Sequence, residues 1–118
     1  MLRVLFVCSA NQWRSPTAER VFSKHPRLQV RSAGTAARAR RSVSAGDLRW
    51  AELVMVMEPK HAARLRASFP RLCQHLAIEV LDIPDDYRAM DPELIEVLER
   101  AVPGILERYL EDEIEPLE

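Results

Sequence analysis

The chain has 118 residues, 47% hydrophobic and 30% charged, a size that suits one domain and a balance that excludes long disorder. A chain this long hides roughly two-thirds of its unfolded surface, so a core needs no metal or disulfide scaffold, and two cysteines (Cys8 and Cys73) point to a reducing compartment. Net charge is −1, yet residues 1–50 carry ten Lys and Arg against two acids, and residues 51–118 carry seven against sixteen. The basic half suits an anionic partner; the alternative is that folding mixes both halves on one surface.

The longest apolar runs, Val4–Cys8 and Leu53–Met57, hold five residues each. A bilayer span needs ~20. The first run is also too short for the hydrophobic region of a signal peptide. The expectation is a soluble cytoplasmic protein, residues 1–118 forming a single domain, with no membrane partner.

In chain order, Leu2–Val7 is β-branched and apolar and reads as a buried strand. Residues 8–14 break both periodicities. Ser15-Pro16 marks a helix start, with Ser as cap and Pro at the first helical position. That helix runs to about Lys24 on a core face of Ala18, Val21 and Phe22, and His25-Pro26 ends it. Leu28–Ser32 is a second strand, and Ala33-Gly34-Thr35 turns the chain. Arg38–Gly46 reads as an exposed loop and Asp47–Ala51 as a helical turn. Leu53–Met57 is a third strand, buried on both faces.

Pro59 opens a helix with Ala62, Leu65 and Phe69 inward, and Pro70 is expected to stop it. Ile78–Leu81 is the fourth strand, followed by the polar segment Asp82–Tyr87. From Asp91-Pro92 a long stripe runs through Leu94, Ile95, Leu98, Val102, Ile105, Leu106, Tyr109 and Leu110; Pro103-Gly104 inside it should kink or divide the helix. The order β-α-β-β-α-β-α predicts an α/β fold, a parallel sheet with helices on both faces.

Ligands of such sheets bind beyond the carboxyl ends of the strands. The segment there is Cys8-Ser9-Ala10-Asn11-Gln12-Trp13-Arg14-Ser15. A cysteine and an arginine five residues apart, between a strand and a helix start, have a chemical rationale. Backbone N–H groups of Ser9, Ala10, Asn11, Gln12, Trp13, Arg14 and Ser15, with the helix N-terminus, make an oxyanion cradle. The same field favours the nucleophilic thiolate at Cys8. Arg14 can clamp two phosphoryl oxygens with its planar fork. A hydroxyl at Ser15 can donate to the thiolate and help it leave.

Val4–Cys8 with Arg14–Glu19 resembles the phosphate-binding loop and first helix of low-molecular-weight protein tyrosine phosphatases. Ser32–Thr35, Ala51–Glu58 and Asp82–Tyr87 resemble, in order, the stretch after that family's second strand, its third strand and its acid loop. The resemblance implies a four-stranded parallel sheet and a two-step mechanism through phosphocysteine, without metal or cofactor. Cys8 would attack phosphorus, Arg14 would hold the transferring group, and Asp85 would serve as acid and then base. Asn11 would hold the loop, Glu58 would orient Arg14, and Tyr87 would line the mouth and stack on an aromatic substrate. The implied partners are a phosphorylated protein or small aryl phosphate, with inorganic phosphate or sulfate able to occupy the loop.

The chain departs from that pattern at named positions. Ala10 stands where the family usually has Gly, and is tolerated where φ is negative. Trp13 replaces a frequent second loop cysteine, and its ring either faces substrate or packs beneath the loop. Asp86 stands in place of a proline and adds a second carboxylate, so the acid is open: Asp85 comes first by register, with Asp86 and Asp82 behind it. Between Thr35 and Asp47 only eleven residues intervene, too few for the helix that usually helps wall the site.

Two other functions fit the same fold: arsenate reduction, with Cys73 as the resolving thiol, and non-catalytic phosphate or phosphoprotein binding. Nucleic-acid binding through Arg38-Ala39-Arg40-Arg41 lacks any recognised motif and is not expected. His25, His61 and His75 are read without a functional role, His61 and His75 on polar faces. Trp50 reads as core.

Overall fold

The computed structural model describes residues 1–110. Four strands, β1 (Leu2–Cys8), β2 (Leu28–Gly34), β3 (Leu53–Val56) and β4 (Ala77–Val80), form one sheet in the order β2-β1-β3-β4. All three pairings are parallel. Among the described residues, five helices join and cover them: α1 (Arg14–Phe22), α2 (Ala45–Trp50), α3 (Pro59–Ser68), α4 (Pro70–Cys73) and α5 (Pro92–Leu110). The α/β architecture predicted from the sequence is the one observed.

Strand alternation sorts the sheet into two cores. Val4, Phe6 and Cys8 of β1 pack with Met55 of β3 against Ala18 and Phe22 of α1 and the Leu94, Leu98, Val102, Leu106 row of α5. Leu5 and Val7, with Val54 and Val56, face Leu48 of α2, Ala62 and Leu65 of α3 and Cys73 of α4. Residues 4–7 of β1 are wholly buried, and each such aliphatic or aromatic side chain contributes about 1.5–3 kcal/mol. The Phe6 and Phe22 rings stack with centroids 5.8 Å apart.

Three local readings are corrected. Helix α1 begins at Arg14 with Trp13 as its N-cap and no side-chain cap, so Ser15 is inside the helix and its hydroxyl serves elsewhere. Pro70 does not only end α3; it opens α4, because Phe69 leaves helical geometry (φ −134°, ψ 59°) and proline is preorganised for a new first turn. Pro103 does not divide α5, which runs unbroken from Pro92 to Leu110. Pro103 and Gly104 lie on its exposed side, where water can satisfy the carbonyl that proline leaves unpaired.

The turn read at Asp47–Ala51 is α2, which starts at Ala45, earlier than the loop reading allowed. Ser44 Oγ accepts the Asp47 N–H at 3.1 Å, and the Asp47 carboxylate accepts the Ser44 N–H at 3.1 Å. Between Gly34 and Ala45 the described chain contains no helix. It loops back with a bridge between Gly34 and Ser42. A cleft of about 210 Å³, lined in part by Thr35, Ala36, Val43, Leu65 and Phe69, opens between this loop and α3.

Connections from β1 and from β3 leave toward opposite faces of the sheet. That reversal opens a crevice at the carboxyl ends of these adjacent strands. Residues 8–14 and the turn at Glu58 meet there.

Candidate active site

Between β1 and α1 the chain folds around a fixed set of polar contacts. Asn11 takes a left-handed conformation (φ 53°), one asparagine tolerates. Its Nδ2 donates to Ser15 Oγ at 2.9 Å and to Ser32 Oγ at 3.0 Å, and Ser32 donates on to Glu19 Oε1 at 2.5 Å. Asn11, Ser15 and Ser32 are buried, so these bonds carry low-dielectric weight. Ser15 Oγ lies 3.0 Å from Cys8 Sγ and 3.3 Å from the Ala33 carbonyl. Ala10, unlike Asn11, has no positive φ, so its β-carbon causes no backbone strain.

The loop is held from outside by residues 35–40. Cys8, Ser9 and Ala10 carbonyls accept N–H groups from Thr35, Ala36 and Arg40 at 2.9, 3.0 and 2.9 Å. Gly34 permits this approach: a β-carbon there would lie 2.4 Å from the Ser9 carbonyl oxygen and 2.7 Å from Ala39 Cβ. Among the described residues, no protein acceptor is found for the backbone N–H groups of Ser9 through Trp13. Five adjacent donors left this way form an anion-binding surface.

Arg14 is 2% exposed. Its Nη1 donates to Glu58 Oε2 at 2.6 Å and to the Ile83 carbonyl at 2.7 Å. Nε lies 3.5 Å from Asp85 Oδ1. The hydrogen bond from Arg14 holds the Glu58 carboxyl below its ordinary range, against the opposing effect of burial. Nη1 is thus committed to Glu58 and Ile83 and Nε faces the exposed Asp85, while Nη2 has no partner among the described residues and remains for a ligand.

Asp85 and Asp86 are both exposed, but of the two only Asp85 pairs with Arg14. The segment carrying them is pinned at both ends: the Ile83 N–H donates to Met57 at 2.8 Å and the Met90 N–H to Thr17 Oγ1 at 2.9 Å. Asp82 is exposed, with φ 55°. Trp13, left open between two placements, is 38% exposed, with the Arg88 guanidinium 6.0 Å from its ring centroid. Tyr87 is half-buried, packed against the α1 and α5 core. Gln12 is exposed.

His61 corrects the sequence reading. It is 1% exposed rather than on a polar face. Nδ1 accepts the Glu58 backbone N–H at 3.0 Å, and Nε2 lies 2.8 Å from Ser9 Oγ. The signal for its burial was its spacing: it lies four residues before inward-facing Leu65 and so shares that helix face. His75 is exposed, and His25 Nδ1 accepts the Arg27 N–H at 3.1 Å. Trp50 is half-buried beside the second core, with the Arg31 guanidinium 4.2 Å from its ring centroid.

The two charge halves meet through Arg14 with Glu58 and Asp85, and through Arg3 with Glu52. Arg41 is withdrawn from the basic run: it bonds Asp47 at 2.5 Å and the Ser32 carbonyl at 2.7 Å. Burial raises the Asp47 carboxyl, but the Ser44 N–H and Arg41 outweigh it and hold it below its ordinary range. Cys73 is buried on the other face of the sheet from Cys8, and burial pushes its thiol up. Among the described residues, no three His, Cys, Asp or Glu side chains converge to hold a metal ion, and no helix is long and apolar enough to cross a membrane.

Comparison with known proteins decides the family. Residues 3–47 match the sequence model described as low molecular weight phosphotyrosine protein phosphatase. The low molecular weight protein-tyrosine-phosphatase Wzb of Salmonella typhi is 30% identical over 115 residues, covering 73% of this chain and 77% of that one. The chain belongs to the low-molecular-weight protein tyrosine phosphatase family. It is accordingly a cysteine-dependent, protein tyrosine phosphatase-like hydrolase.

Solved structures of this phosphatase fold superpose across nearly the whole chain. A low molecular weight phosphotyrosine phosphatase from Vibrio cholerae O395 has a TM-score of 0.76 at 21% identity, covering 97% of this chain and all of the other. The tyrosine phosphatase Wzb from Escherichia coli K30, solved in complex with phosphate, has 0.74 at 22%, covering 92% and 99%.

Proposed function

We propose that this phosphatase hydrolyses phosphotyrosine or aryl phosphate monoesters through a phosphocysteine intermediate. The observation that carries the reading is the convergence on one loop of Cys8, the unpaired N–H groups of Ser9 through Trp13, and a buried Arg14 held by Glu58. The N–H groups and the free side of Arg14 bind the phosphoryl oxygens, so the in-flight charge meets donors already oriented. The Cys8 sulfur attacks phosphorus, forming an S–P bond as the ester P–O bond breaks. Asp85 in its acid form gives its proton to the departing oxygen. Asp85 then takes a proton from water, whose oxygen attacks phosphorus and releases the thiolate. Ser15 donates a hydrogen bond to that sulfur as it leaves.

Inorganic phosphate, or sulfate in its place, is expected to compete for the loop; the Escherichia coli K30 relative solved with phosphate supports this. A cytoplasmic setting fits the reading, because Cys8 must remain reduced to attack. The shortened segment between Gly34 and Ala45 bears on substrate choice: it holds no helix that could wall the site on that side. Nothing favours arsenate reduction, since Cys73 is buried on the far side of the sheet.

Steady-state hydrolysis of a small aryl phosphate by the wild type and Cys8→Ser tests the proposal. Turnover that Cys8→Ser abolishes is expected. Equal rates would sink it, and a wild type that binds phosphate without turnover would leave a binding module instead.

A further inference from the structure

His61 lies 52 residues from Ser9 in the chain, and its imidazole joins Ser9 to Glu58. A neutral imidazole carries one N–H. Because Nδ1 accepts the Glu58 N–H, the proton sits on Nε2 and His61 is the donor to Ser9 Oγ. Burial first, and then the Arg14 guanidinium, hold the His61 pKa at about 4, so the ring is neutral near pH 7. Around it, Arg14 and Lys60 oppose protonation, while Glu58 and Asp85 favour it.

Ser9 is the first cradle residue after Cys8. Its side chain is held by His61, and its carbonyl is held by the Ala36 N–H. These two bonds fix the plane of the loop's first peptides and hence the direction of their N–H groups. At the loop's other end, Arg14 is held by the Glu58 carboxylate. Glu58 therefore anchors both ends of the loop, one through its side chain and one through its backbone N–H by way of His61.

We infer that His61, as the Nε2–H tautomer, is a positioning residue that locks the Ser9 end of the phosphate cradle in register with Arg14, and so sets its affinity for the phosphoryl group. The inference rests on the reading of this loop as a phosphate site. It assigns His61 no contact with substrate.

Two variants separate its two bonds. In His61→Asn the side-chain oxygen sits where Nδ1 was and accepts the Glu58 N–H, but nothing reaches Ser9. In His61→Gln the amide nitrogen reaches the place of Nε2 and donates to Ser9. On the full chain, the measurements are affinity for inorganic phosphate by calorimetry, kcat and KM for a small aryl phosphate, and Tm. His61→Asn is expected to weaken phosphate binding about tenfold and raise KM in step, with Tm held, the scale of one hydrogen bond in a buried site. His61→Gln is expected to lose clearly less. In a Ser9→Ala background, His61→Asn should add no further loss.

Nitrogen NMR of the ring at pH 7 should show the Nε2–H tautomer. An Nδ1–H ring, equal phosphate affinity in the Asn and Gln variants, or additive losses with Ser9→Ala would overturn the inference. Those results leave wild-type turnover intact and so spare the proposed activity. A wild type that binds no phosphate would end both.

Discussion

Ser15 Oγ accepts a hydrogen bond from Asn11 Nδ2 at 2.9 Å and has two places for its single proton, the Ala33 carbonyl at 3.3 Å and Cys8 Sγ at 3.0 Å, of which a thiolate sulfur is the charged acceptor. A donor in that place stabilises the thiolate each time the S–P bond breaks. Ser15→Ala is expected to lower kcat by about 10–100-fold, the worth of a hydrogen bond to a charged group. Breakdown of the phosphocysteine should then become limiting, seen in stopped flow as a burst of released phenol. Loss of activity without a burst would argue against this role.

Asp85 and Asp86 differ in what they face. Asp85 Oδ1 lies 3.5 Å from Arg14 Nε, whereas Asp86 has no ion pair among the described residues. Asp85→Asn is therefore expected to reduce turnover about 100-fold for esters with poor leaving groups and much less for good ones, as loss of a general acid does. Asp86→Asn should change either rate by less than about 3-fold, the range of an exposed charge. The reverse order would move the acid by one residue.

At Gly34 the constraint is contact with the loop rather than φ. A methyl group there meets the Ser9 carbonyl at 2.4 Å, so the segment 35–40 must retreat from the loop it supports. Gly34→Ala is expected to cost about 1–3 kcal/mol in urea unfolding and to weaken phosphate binding. Unchanged phosphate affinity would show that this support is dispensable.

Acid should weaken the fold in two stages. Between pH 6.5 and about 4 the unfolded chain protonates His61 while the folded chain does not, so stability falls as pH drops across that window. The full effect is roughly 3 kcal/mol at the low end. Asp47 and Glu58, held below their ordinary values of 3.8 and 4.5, contribute stability above those values and lose it as pH falls further. Urea unfolding at a series of pH values should show the upper stage in the wild type and not in His61→Gln.

Peroxide should inactivate the enzyme without easy return. Trp13 replaces a neighbouring loop thiol, and Cys73 is buried across the sheet, so oxidised Cys8 has no intramolecular partner within reach. Oxidation is expected to pass from sulfenic to sulfinic acid, beyond rescue by dithiothreitol. Mass spectrometry finding a Cys8–Cys73 disulfide would contradict this.

What could be read in the sequence was what lies close along the chain. Cys8, Arg14 and Ser15 stand in one stretch between a strand and a helix start, and strand alternation marked Val4 through Val7 for both cores. Ser15 shows the limit: its neighbour Pro16 made it look like a cap, and only its 3.0 Å approach to Cys8 separates that from its actual place. Prolines were equally ambiguous. Pro70 starts a helix and Pro103 rides on the outside of one; both are exposed, and it is the backbone of the preceding residue, non-helical at Phe69 and helical before Pro103, that separates them. His61 was missed because its partner at Ser9 is 52 residues away and comes near it only when β3 lies beside β1.

The strand order has a bearing on how the protein is made. On a ribosome β1 emerges first, but in the finished sheet it lies between β2 and β3, and its reactive end stays unsupported until they arrive. Arg14 is seated by Glu58 and by the carbonyl of Ile83, supplied from the two later loops. A nascent chain carrying Cys8, Arg14 and the whole segment matched by the family model, but stopped before residue 83, thus displays the sequence signature without a seated arginine. Synthesis order itself leaves the arginine without its full seat until the later loops have closed around it.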